Sequence, residues 1–138
     1  MTPSPVEQLL AAVDRLDIDG VMALLAPDAR ISTADGRRAI GSGPVRELLT
    51  SFTAQVRSTA HHITAQWHQD DTWIAEIDAS YEMRDYLRLE SLPRAIVVRT
   101  DTTGILDIRV YGAHEHALTD ERDGEEGLWV GGRWIPPL

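Results

Sequence analysis

Residues 73–83, Trp-Ile-Ala-Glu-Ile-Asp-Ala-Ser-Tyr-Glu-Met, alternate without a break between two chemistries. Trp73, Ala75, Ile77, Ala79, Tyr81 and Met83 share one face; Ile74, Glu76, Asp78, Ser80 and Glu82 share the other. A period of two over this length predicts a strand in a sheet with one wet side. The dry face mixes small residues with aromatics, so it either closes into a core or lines a pocket.

Before residue 60 the period is helical. Ser4-Pro5-Val6-Glu7 offers an N-cap serine, proline at the first helical position and a glutamate spaced for a capping box. Val6, Leu9, Leu10 and Val13 then recur on one helical face. A second helix over residues 18–25, opened by Asp17 or Asp19 and stopped by Pro27, forms a hairpin with the first. Residues 29–33 have room for a short strand, and Asp35-Gly36 signals a turn. Ser42-Gly43-Pro44 starts a third helix, with Val45, Leu48, Leu49, Phe52 and Val56 as its stripe.

From His61 onward strand alternation takes over, in residues 61–69, from residue 72, in 94–100 and in 105–111. Helices first and an antiparallel meander afterwards give an α+β domain over residues 1–117. Residues 118–138 read as an acidic linker followed by an apolar tail. Asp120, Glu121, Asp123, Glu125 and Glu126 face only Arg122 in the linker, and the tail carries two of the four tryptophans. The expectation is a tail that packs back on the domain or on a partner protomer, with a flap over a pocket mouth as the other reading.

At 138 residues one core suffices without staples, and the absence of cysteine excludes disulfides and thiolate metal sites. A net charge of −9 repels phosphate backbones and anionic lipid, which argues against nucleic acid or a membrane surface as partner. No apolar run approaches membrane-spanning length, and the N-terminus lacks the regions of a signal peptide. The chain therefore reads as soluble and cytoplasmic, with an alanine-, arginine- and aspartate-rich composition suggesting a bacterial source.

Chemistry is confined to a few positions. In residues 61–69, His61, Ile63, Ala65 and Trp67 form the dry row, and His62, Thr64, Gln66 and His68 point the other way. A histidine in an apolar row can move a proton near neutral pH without a large pKa shift, although such a residue also serves as a core histidine bonded to a carbonyl. A one-residue bulge would exchange His61 and His62. Leu106, Ile108 and Val110 form the dry row of the last strand, and Asp107, Arg109 and Tyr111 the polar one; Arg109, Asp107 and Glu76 read as a charge ladder. His114 and His116 have no third ligand in phase, so no metal is expected. Asp14 either helps the next turn or reaches over the pocket to hold a histidine. Thr33 and Asp35 read as turn chemistry. No nucleophile elbow, phosphate loop or nucleotide fingerprint is present.

Four segments carry a family resemblance: residues 17–31 (DIDGVMALLAPDARI), 41–47 (GSGPVRE), 61–64 (HHIT) and 104–111 (GILDIRVY). Their order and spacing resemble the SnoaL-like branch of the NTF2-like superfamily, which includes ketosteroid isomerases, limonene epoxide hydrolases, polyketide cyclases and scytalone dehydratase. The resemblance implies a cone of curved sheet around helices, a pocket between them and a homodimer formed through the sheet. The isomerase residues fall on Leu9, Thr33 and near Ala95, and the epoxide hydrolase residues on Ile77, Ala79 and Val110, so neither set is kept. Against the dehydratase, Asp14 and either His62 or His61 match, while its tyrosines fall on Val13 and Thr33.

Two readings follow. The first is a cofactor-independent cyclase, dehydratase or isomerase of a small apolar, oxygenated molecule, with His61 or His62 as acid or base, Asp14 orienting it and Tyr81 as donor. Trp67, Trp73, Ile77, Ala79, Tyr81, Ile108 and Val110 would line its pocket. The second is a binding or assembly module of the same fold, favoured by the loss of both residue sets.

Overall fold

The computed structural model describes residues 2–112, together with the backbone of residues 128–130 and 133–135. Helix α1 (Pro5–Asp14) begins as its sequence predicts, with the Ser4 hydroxyl oxygen accepting from the Glu7 N–H at 3.1 Å. This satisfies one of the backbone donors that a helix start leaves open. Helix α2 (Ile18–Leu24) is capped by Asp17, whose carboxylate accepts from the Gly20 N–H at 2.9 Å. A Cβ at Gly20 would press on that carboxylate where it stands, so the glycine leaves room for this placement of the Asp17 side chain.

Strand β1 (Leu25–Ser32) follows directly and is longer than the sequence suggests. Pro27 fits within it because the ladder to its neighbour is irregular between Leu25 and Arg30. A three-residue strand β2 (Arg38–Ile40), which the pattern does not announce, returns antiparallel to β1 around the Asp35-Gly36 turn. Helix α3 (Ser42–Gln55) runs into strand β3 (Val56–Gln69), five residues earlier than expected. Val56, read as the last residue of the helical stripe, instead opens the strand and is buried.

The meander continues through β4 (Thr72–Met83), β5 (Arg88–Asp101) and β6 (Gly104–Gly112). The sheet order is β2-β1-β6-β5-β4-β3, antiparallel throughout except for the parallel pair β1–β6. This is a mixed, unclosed α+β sheet. Strands β7 (Leu128–Val130) and β8 (Arg133–Ile135) pair with each other, Trp129 opposite Trp134; the remainder of the tail lies outside the described residues.

The core forms where α1 meets the inner face of the sheet. Val6, Leu9 and Leu10 pack with Ala75, Ile77, Ile96, Val98 and Ile108. Burying each of the larger of these side chains contributes about 1.5–3 kcal/mol. Inner and outer faces in β4 follow the predicted alternation from Ala75 to Ala79, with Ala75, Ile77 and Ala79 buried and Ile74 and Glu76 exposed.

Two bulges break the predicted rows elsewhere. In β3, Ile63 pairs with Ile77 but Ala65 with Glu76, which leaves Thr64 as an extra residue. Because the side-chain period is two, one extra residue turns every later side chain to the other face. Ala65 and Trp67 therefore move to the outer face, and Gln66 and His68 move inward. In β6, Ile105 pairs with Thr100 but Asp107 with Arg99, so Leu106 is the odd residue, and Ile105 rather than Leu106 is buried.

Helix α1 is tied to β3 at both ends. The Ser4 hydroxyl donates to Gln66 Oε1 at 2.7 Å and Gln66 Nε2 donates to Glu7 at 3.2 Å. At the other end Asp14 receives Thr59 and His61.

Candidate functional site

The last residue of α1 faces the start of the strand that carries both histidines. Asp14 Oδ1 lies 2.6 Å from His61 Nδ1 and accepts the Thr59 hydroxyl at 2.7 Å, while Oδ2 accepts the His61 backbone N–H at 3.1 Å. All three contacts converge on acceptor oxygens, so Nδ1 carries a proton, and in the neutral ring the lone pair is on Nε2. The His61 side chain is 6% exposed and Asp14 28%. Tyr81, across the ladder on β4, sets its hydroxyl 3.5 Å from Nε2, with the two rings edge-on at 5.7 Å. The Phe52 ring of α3 stands near-perpendicular to that of Tyr81, centroids 6.1 Å apart.

Above this group lies a cavity of about 250 Å³ between α1, α3 and the inner sheet face. Leu9, Leu10, Val13, Ile77, Ile96, Ile108 and Val110 form its apolar wall, and His61 and Tyr81 reach it from β3 and β4. Arg94, Thr33, Asp35, Arg37 and Gln55 supply the rest of its polar lining. A lone-pair nitrogen and a phenol beside an apolar space can take a proton from carbon or oxygen and donate to the oxygen where charge develops.

The Asp35 group is a tight turn. Thr33 Oγ donates to Asp35 Oδ1, and Arg37 Nε contacts Oδ2 at 2.8 Å. Burial pushes the Asp35 carboxyl upward, but hydrogen bonds from Thr33 and Arg37 outweigh it and hold the group below the ordinary carboxylate value. On the outer face, Asp107 is buried between Arg109 at 3.1 Å and Arg30 at 3.7 Å. The ladder expected with Glu76 does not extend that far, since Glu76 stands opposite Ala95.

A SnoaL-like domain model matches residues 6–117, most of the chain. The chain belongs to the SnoaL-like family. No curated protein matches it by sequence. Among solved structures, a protein of ketosteroid isomerase-like fold from Catenulispora acidiphila, crystallised with trimethylamine, shares 19% identity, with a TM-score of 0.72 over 80% of this chain and 86% of that one. An epoxide hydrolase of the LEH-like type from M. tuberculosis shares 22% identity, with a TM-score of 0.68 over 78% and 79% of the two chains. SalBIII, an epoxide hydrolase/cyclase-like enzyme of pyran ring formation in salinomycin, shares 15% identity, with a TM-score of 0.67 over 78% and 87%. At these identities the likeness is one of fold.

Within this SnoaL-like fold the candidate residues separate clearly. Asp14, His61 and Tyr81 come together, and Ile77, Ile108 and Val110 line the cavity with them. His62 is exposed on the opposite face of β3, opposite Asp78. Trp67 is 52% exposed on the outer face, turned there by the bulge at Thr64, so it does not face the cavity. Trp73 stacks on His68 at 3.7 Å and Ala79 is buried opposite His61 in the ladder; neither lines the cavity.

Sequence reasoning missed Arg94, which is 4% exposed on the inner face. The signal was present: Arg94 is in phase with Ile96 and Val98, the buried residues of its strand. Where the resemblance aligned Ala95 with a cavity position, the inward residues are its neighbours Arg94 and Ile96. Among the described residues no three His, Asp or Glu side chains gather as a metal-ligand set, and His114 and His116 lie outside them. No helix among the described residues is long and apolar enough to cross a membrane.

Proposed function

We propose that this protein binds a small apolar, oxygenated molecule in the 250 Å³ cavity and performs cofactor-independent proton transfer on it, as a cyclase, dehydratase or isomerase. The observation that carries the reading is the Asp14–His61–Tyr81 relay, with Nδ1 held at 2.6 Å from a carboxylate and Nε2 aimed past a phenol at 3.5 Å. His61 Nε2 is the base that accepts the substrate proton. Asp14 orients the ring and stabilises the imidazolium that forms, and Tyr81 donates to the substrate oxygen. The volume lies just below the roughly 300–1,000 Å³ usual for ligand sites, which favours a body of one or two rings.

A panel of one- and two-ring ketones and hydroxyketones in deuterated water tests this directly. Protein-dependent exchange at carbon next to the carbonyl, read by NMR, is expected for wild type and His62→Ala and is expected to vanish in His61→Ala and Asp14→Asn. Binding without exchange in wild type would replace the enzyme by a binding module. That second reading is favoured by Leu9, Thr33, Ile77 and Val110 standing where relatives are expected to carry acid, base or charge.

We also infer a homodimer formed through the outer sheet face. Trp67, Ile74 and Val97 lie in one cross-strand row there, with Trp67 52% and Ile74 41% exposed. An apolar row of this kind on a sheet face is a natural interface.

A further inference from the structure

Among the described residues two charged side chains are buried, and they sit on opposite faces of the sheet. Asp107 lies on the outer face, held by Arg109 and Arg30. Arg94 lies on the inner face, 4% exposed and part of the cavity lining. Taking a guanidinium out of water is costly, so arginine is ordinarily left at a wet position. Here the ladder fixes it inside. Arg94 pairs with Ile77 on β4 and with Gly112 on β6, and Ile77 pairs with Ile63 on β3, so one inner row reads Ile63, Ile77, Arg94, Gly112. The missing side chain at Gly112 leaves the space that Arg94 Cδ and Nη1 occupy.

The cavity places its chemistry at separate points. His61 stands two residues along β3 from Ile63, so about 12 Å separates it from Arg94 at the backbone, two strand spacings across and two residues along. Ile77, Ile96 and Val110 form the apolar wall around Arg94 on its own and the neighbouring strands. The other arginine of the lining, Arg37, contacts Asp35 at 2.8 Å, and its side chain is 40% exposed. One part of the chamber can therefore move a proton, and another can hold a charge.

We propose that Arg94 binds the ligand and that the ligand is a cyclic carboxylate. Its ring body rests on Ile77, Ile96 and Val110, its carboxylate meets Arg94, and the atom that exchanges a proton faces His61 and Tyr81. The proposal rests on the cavity being the ligand site, as argued above, and adds the charge of the ligand and its direction in the chamber. A guanidinium suits a carboxylate because its planar fork matches both oxygens, and it stays charged at any pH at which a histidine is a base. Its several N–H donors can serve protein partners, the Pro93 carbonyl among them at 3.2 Å, and a ligand oxygen as well. Beside an apolar wall the attraction between the two charges is stronger than on a wet surface.

Isothermal titration of the full chain with two probes of one shape, 2-naphthoate and the neutral 2-naphthylmethanol, tests this. Wild type is expected to bind the acid about tenfold more tightly than the alcohol, the worth of one charge-assisted hydrogen bond. That ratio is expected to fall to about one in Arg94→Gln, to be kept in part in Arg94→Lys, which retains the charge without the fork, and to persist in Arg37→Gln. In wild type itself, the Arg94 Nε–H signal in nitrogen–proton NMR spectra should move with the acid and not with the alcohol, a readout that depends on no variant folding. Equal binding of acid and alcohol, or an Arg94 signal indifferent to the acid, overturns the proposal and leaves the cavity reading intact. A preference that survives Arg94→Gln but is lost in Arg37→Gln overturns it as well, placing the carboxylate at the Asp35 turn. Failure of both probes to bind overturns both readings together.

Discussion

Asp14 and His61, 47 residues apart in sequence, stand 2.6 Å apart, and His61 lines the cavity. A carboxylate that only accepts must be met by Nδ1–H, so a single tautomer follows. Long-range nitrogen–proton NMR spectra of wild type should show His61 as the Nδ1–H form, and Asp14→Asn, whose amide can accept or donate, should give a mixture. A wild-type His61 present mainly as the Nε2–H tautomer would remove the basis for Nε2 as the base.

Cavity wall and core respond differently to truncation. Ile77 is 4% exposed and belongs to both, so Ile77→Ala should cost about 3 kcal/mol in urea denaturation. Val110, half-buried at the cavity wall, should cost about 1 kcal/mol as Val110→Ala, because it loses less packing. Equal losses would mean that the space is filled by protein in solution.

The turn carboxylate gives a pH signature. Asp35 titrates below its ordinary value in the folded chain, so its contribution to stability is complete above the unfolded pKa and is lost as pH falls through the folded one. Between pH 7 and pH 3, wild type should therefore lose more stability than Asp35→Asn, with most of the divergence below about pH 4. Parallel stability curves for the two proteins would contradict the depressed value.

Gly112 makes room for Arg94. The two residues are ladder partners, and a Cβ at Gly112 would come within 2.6 Å of Arg94 Cδ and Nη1. Gly112→Ala is expected to destabilise by about 1–3 kcal/mol through overpacking. In the Arg94→Ala background the same change should cost little, so the double-mutant cycle should show strong coupling; additive losses would show that Arg94 does not lie over the glycine.

If the outer face is the dimer interface, Trp67→Glu/Ile74→Glu should convert a dimer to a folded monomer in light scattering behind size exclusion. A monomeric wild type would end that reading.

How far the sequence could be read depended on whether the ladder was regular. In β4 the stretch from Ala75 to Ala79 pairs without slippage on either side except opposite Thr64, and its inner face was legible from the pattern. In β3 the extra residue carries no sequence mark of its own, so Trp67 read as lining while its side chain is on the surface. The choice between His61 and His62 needed the register that puts His61 opposite Ala79. Arg94 was passed over because a charged residue suggests solvent, although its phase with Ile96 and Val98 placed it inside. The three residues of β2 are too short for any period to register.

The paired attachments of α1 to β3 have a mechanical meaning. From Ser4 to Asp14 the helix covers ten steps of about 1.5 Å, and from His61 to Gln66 the strand covers five of about 3.3 Å, nearly the same length. The helix is a strut cut to fit, bolted through Gln66 at one end and through Asp14 at the other. The aim of the imidazole is therefore set at two places, one of them remote from any ligand. Anyone wishing to retune the proton-handling nitrogen without touching the chamber would begin at Gln66.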